Sequence, residues 1–144
     1  MESLRMAYTF ELTLLDSSDP IITRVFDVPA WFSFRQLHYT IQYAMGPWQL
    51  THLHNFTFKR LPEDARDRLS SRVEVLEISP SSEFEEGFGM PPQRQIPKVA
   101  EEDLKLSDVF DPSGRLNSIV VENGTVLPLI YVYDFGVRLE NAFP

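Results

Sequence analysis

Apolar and polar residues alternate from Ala7 to Leu15, with Tyr8, Phe10, Leu12 and Leu14 on one side and Thr9, Glu11 and Thr13 on the other. A period of two predicts a half-buried strand. Asp16 to Pro20 is a turn cluster, and Ile21 to Val28 resumes the strand pattern, with Ile22, Phe26 and Val28 in register and Arg24 interrupting them. The short connection predicts an antiparallel hairpin. Pro29 ends it, because proline has no amide to give a ladder.

The period then changes. Phe34, Leu37, Ile41, Ala44 and Met45 fall on one arc at 100° per residue, with His38 at its edge and Tyr39 and Tyr43 on the opposite side. Ser33 and Gln36 are spaced as a capping box, Phe32 and Leu37 as a hydrophobic staple. Gly46 and Pro47 form a stop signal. An amphipathic helix is expected between them. Past the turn the period returns to two: His52, His54, Phe56 and Phe58 share one strand face, and Leu53, Asn55 and Thr57 the other. Lys59 to Arg72 is polar, and Pro62 with Glu63 and Asp64 suits the opening of a short helix.

Val73 to Ile78 reads as a strand, Leu104 to Phe110 as a short helical turn, and Leu116 to Val121 as a strand. Asn123-Gly124 marks a hairpin turn, and Leu127 to Phe135 is the most strand-like stretch. No period runs through the excursion at about 79–103. From Glu77 to Asp103 there are four prolines and seven acids against only Arg94 and Lys98, so a long acidic, proline-rich loop is expected. The paired carboxylates Glu85-Glu86 and Glu101-Glu102 read as solvated charge. Residues 1–144 are expected to form a single α+β domain: a largely antiparallel sheet of about five to six strands, one main helix packed on one face, and a β-grasp-like start.

Composition narrows the function classes. The chain has 144 residues, no cysteine and a formal net charge of −8. Thiolate chemistry is excluded. The acidic balance argues against nucleic acid, because phosphate contacts need clustered cations. No apolar run is long enough to span a membrane, and Met1 to Met6 lacks a signal-peptide core. An intracellular, cytoplasmic location is the expectation.

Three groups of residues carry a family resemblance. They are Leu37-His38, Ile41-Gln42 and Ala44-Met45-Gly46 with Trp48; His52-Leu53-His54-Asn55-Phe56; and Leu106-Ser107-Asp108-Val109-Phe110 followed by Tyr131-Val132-Tyr133-Asp134-Phe135-Gly136. In this order and combination the chain resembles the plasmid pRiA4b ORF-three-like family, found on plasmids and beside transposable elements. It departs from the family pattern at Val137, Leu139 and the inserted Pro47. It ends eight residues after Gly136, where family members usually continue into another strand. The resemblance implies an α+β domain with no established biochemical activity.

Candidate chemistry is sparse. No G-x-S-x-G or Ser-His-Asp order stands out, and Asp134-Phe135-Gly136 has no kinase motif beside it. The leading reading is a non-catalytic interaction module whose protein partner, or second copy, docks on Tyr39, Tyr43, Trp31 and Trp48. It needs no cofactor. The alternative is a divalent-metal site, for zinc or a similar ion, of a kind that hydrolytic chemistry could use. His52 and His54, about 7 Å apart along one strand face, would be completed by His38 or Asp134. A third reading, an accessory protein of mobile elements or DNA, rests only on the company the family keeps.

Overall fold

In the computed structural model, residues 6–14, 20–45, 53–60, 73–83, 96–133 and 137–142 are described. The short helix expected at Pro62 and the stop signal Gly46-Pro47 lie outside them. So does 84–95, the middle of the excursion.

The first two strands, β1 (Ala7–Leu14) and β2 (Thr23–Pro29), form the expected antiparallel hairpin, pairing Ala7 with Pro29 and Thr13 with Thr23. Helix α1 (Phe34–Met45) follows. The capping box is formed as read. Ser33 N–H donates to Gln36 Oε1 at 2.8 Å, and Gln36 N–H donates to Ser33 Oγ at 3.1 Å. Two orphan amides of the first turn are thereby satisfied. Strands β3 (His54–Arg60) and β4 (Val73–Ser79) come next, then β5 (Lys98–Ala100), α2 (Leu106–Phe110) and α3 (Asn117–Val120). The miniature hairpin of β6 (Val121–Glu122) and β7 (Thr125–Val126) leads into β8 (Leu129–Tyr133) and β9 (Val137–Ala142).

Among the described residues seven strands make one sheet in the order β2-β1-β9-β8-β3-β4-β5, one or two more than expected. Every neighbouring pair is antiparallel except β4 and β5. The fold is α+β. Strand β9, which the sequence pattern did not single out, joins the first hairpin to the rest of the sheet. A correction concerns Leu116 to Val121, read as one strand. Residues 117–120 wind as α3 instead, where Asn117 Nδ2 donates to the Val109 carbonyl at 2.9 Å. Asn123-Gly124 makes its turn as read, with φ of 53° and 76°.

One face of the sheet carries Phe10, Leu12, Phe56, Phe58, Leu76, Ile78, Leu129 and Tyr131, buried beneath Phe34, Leu37 and Ile41 of α1 and Val109 and Phe110 of α2. Phe110 meets Phe10, Phe34 and Phe58 with ring centroids 5.7 to 6.2 Å apart. The connection into α2 is stitched to the start of α1: Phe34 N–H bonds to Leu104 O, and Leu106 N–H to Phe32 O. That stitching, with β5 lying parallel to β4, fixes the one-turn 3-10 helix Glu101–Asp103 beside α1.

Candidate functional site

Gln42 and His38 lie one turn apart on the buried side of α1. They face the end of the sheet where His54 opens β3. In the ladder His54 stands opposite Tyr133, and Phe56 opposite Tyr131, so these four side chains share the face beneath the helix. The parallel β4–β5 pairing brings Glu101 to the same place from the far side of His54.

A polar cluster results within an apolar seam. The imidazoles of His38 and His54 stack with centroids 3.5 Å apart and planes 4° from parallel. His38 Nδ1 lies 2.8 Å from the Tyr131 hydroxyl, which also receives a 2.8 Å bond from Gln42 Nε2. With the amide donating, the tyrosine O–H is left to donate to His38 Nδ1, so the His38 proton sits on Nε2. On the other ring, His54 Nε2 is 2.7 Å from Glu101 Oε2, and both side chains are less than a tenth exposed. Gln42 Oε1 is buried and has no hydrogen-bond partner among the described residues.

Electrostatics holds His38 in its neutral form. Burial, then the facing His54 and Arg35, push His38 down to about 3, so it is a neutral acceptor at ordinary pH. Burial also holds the Tyr131 hydroxyl well above the usual tyrosine range, which keeps it a donor. Parallel rings keep their in-plane lone pairs in parallel planes. One ion could not accept both until a ring turned out of the stack. Among the described residues no group of three His, Cys, Asp or Glu could hold a metal ion.

The candidate metal ligands His38 and His54 thus lie in contact, while His52 and Asp134 lie outside the described residues, as does Trp48. Glu101 corrects its reading as solvated charge: it is 3% exposed and bonded to His54, and Glu102 accepts from Ser81 N–H at 3.0 Å. Tyr131 and Gln42, both within the family-like motifs, were not read as site residues. Nothing in the local sequence marks Glu101.

The outer side of α1 is different in kind. Tyr43 is 94% exposed, and Tyr39 and Trp31 are each 45% exposed. Arg35 precedes Tyr39 by one turn, donates to its hydroxyl at 3.2 Å, and holds its guanidinium 5.9 Å from the ring centre. Arg35, Tyr39 and Tyr43 form a stripe at successive turns. Trp31 sits in the preceding turn, edge-on to Phe32.

Comparison with known proteins agrees with the motifs. The family model for plasmid pRiA4b ORF-3-like protein matches residues 6–141. The chain belongs to the plasmid pRiA4b ORF-3-like family. Of solved structures, the chain is similar to a protein of unknown function, MM3350, from Methanosarcina mazei Go1. The two share 24% identity and a TM-score of 0.58 over 96% of this chain and 59% of that one. That likeness concerns the fold of this plasmid pRiA4b ORF-3-like chain, which spans 59% of its neighbour's length. No curated protein matches it. No helix among the described residues is long and apolar enough to cross a membrane.

Proposed function

We propose that the chain is a non-catalytic interaction module that docks a protein partner on the outer face of α1. The observation that supports this is the Arg35–Tyr39–Tyr43 stripe, in which a nearly fully exposed tyrosine continues a braced arginine–tyrosine pair. Tyrosine and arginine are the residue types that concentrate binding energy at interfaces. The buried histidine cluster then holds α1 to the sheet and keeps the stripe in place.

A photoreactive residue at position 43 tests the reading, with position 118 on α3, also exposed, as control. In cell extract, a discrete adduct is expected at 43, absent at 118, and reduced at least about tenfold when Tyr39→Ala is added, a loss of about 1.4 kcal/mol in binding. No adduct, or equal adducts at both positions, removes the reading.

A second reading, a divalent-metal site with possible hydrolytic use, is favoured by the His54–Glu101 contact. Metal-ligating histidines commonly give their other nitrogen to a carboxylate, which would leave His54 Nδ1 as the ligand atom. His52 would share the ion with it, and His38, turned from the stack, or Asp134 would complete the site. Metal dependence of the melting temperature decides it.

A further inference from the structure

We propose that the occupant of the α1 stripe is a second copy of this chain, packed helix to helix in antiparallel fashion about Tyr39. This rests on the docking reading and names its partner. Arg35, Tyr39 and Tyr43 are spaced four residues apart, so Arg35 and Tyr43 lie about 6 Å along the axis to either side of Tyr39. A two-fold axis through Tyr39 reverses one helix on the other. It sets Tyr39 against Tyr39 of the second copy and brings each Arg35 level with Tyr43 of the second copy. The stripe is thus its own complement: a cation at one end and an exposed aromatic ring at the other. This is what an isologous interface requires.

The chemistry of the pairing is a guanidinium over a tyrosine face, made twice. Arg35 is already held on the stripe by its bond to the Tyr39 hydroxyl, so less side-chain freedom is lost on association. Tyr43 is exposed over 94% of its surface and has the most to bury. The 12 residues of α1 extend about 18 Å. A face of that length buries less than the roughly 800 Å² per partner of a standard interface, which puts the dimer among weak, transient associations. The formal charge of −8 on each copy opposes association until salt screens it.

Sedimentation equilibrium from about 10 µM to 1 mM protein in roughly 0.3 M salt, where screening is strong, tests the proposal. Three chains are compared: the parent, Tyr43→Glu and Tyr43→Arg. Position 43 is exposed, so equal melting temperatures establish that all three are folded. The parent is expected to show a concentration-dependent monomer–dimer equilibrium. Tyr43→Glu is expected to keep it, since each Arg35 then meets a carboxylate. Tyr43→Arg, which sets arginine against arginine, is expected to weaken it at least tenfold. A parent that stays monomeric overturns the proposal, as do two variants that dimerise equally well. Neither result removes the broader docking reading, which stands or falls on whether any protein, a second copy included, forms the adduct at position 43.

Discussion

His38 is held neutral by its surroundings, and that has a consequence for stability. The folded chain takes up its proton only near pH 3, whereas an unfolded chain takes it up near the ordinary 6.5. Between those values the unfolded state is the better proton binder. The contribution of His38 is therefore fully present above about 6.5 and is lost as pH falls toward 3. Across that interval the loss approaches about 1.4 kcal/mol per pH unit. His38→Gln keeps a side-chain acceptor for the Tyr131 hydroxyl and removes the titration. Urea unfolding from pH 7 to pH 4 should show a shallower acid decline for the variant than for the parent. Parallel declines would mean that His38 does not control acid stability.

Among the elements, the single turn Glu101–Asp103 matters beyond its size. It places a carboxylate on His54 and presses against α1. Removing that carboxylate leaves a buried imidazole N–H without its acceptor, a loss of about 1–3 kcal/mol. Glu101→Ala is expected to lower unfolding stability by that amount. Glu101→Gln should lower it less, because the amide oxygen still accepts from His54 Nε2. Equal stabilities of Ala and Gln variants, measured by urea unfolding, would show that the acceptor contributes nothing. The same turn marks where the sequence stops being readable. Helix α1, its capping box, the first hairpin, β3, β4 and the Asn123-Gly124 turn all rest on local periods or local turn chemistry. So does the inward face of β3, which holds Phe56 and Phe58. Glu101 meets a partner 47 positions away in the chain, through a parallel pairing of three residues inside a stretch with no period of its own. The α3 segment departs from the expected strand for a related reason. Its β-branched residues favour a strand, but the Asn117 bond to Val109 and the close approach of Gly114 to the carbonyls of Ser107 and Asp108 fold it against α2. Tyr131 was legible as a buried strand residue, whereas its hydroxyl partners became visible only once α1 was laid across β8.

At the scale of the whole molecule, the sheet carries a few short-range pairings and two long closures, β1 with β9 and β3 with β8. The His38–His54 contact adds a polar tie between that sheet and the helix lying over it. An ion that used His54 together with a helix residue would clamp the two layers, and a ligand that binds only the folded state raises the melting temperature by mass action. At a free metal concentration 100 times the dissociation constant the gain is about 2.7 kcal/mol. The metal reading therefore predicts that the metal-stripped chain melts several degrees higher with zinc, manganese or nickel. It also predicts that the rise vanishes in a His52→Ala/His54→Ala variant. Glu101→Gln should retain part of it, since Glu101 would orient a ligand rather than be one. A melting temperature that does not respond to any of the three ions removes the metal site and leaves His38 and His54 as the fastening between α1 and β3. A rise that survives in the double variant would place the ion elsewhere and remove this site just as firmly. A rise confined to the parent would make the histidine face a site in its own right and call for hydrolytic assays.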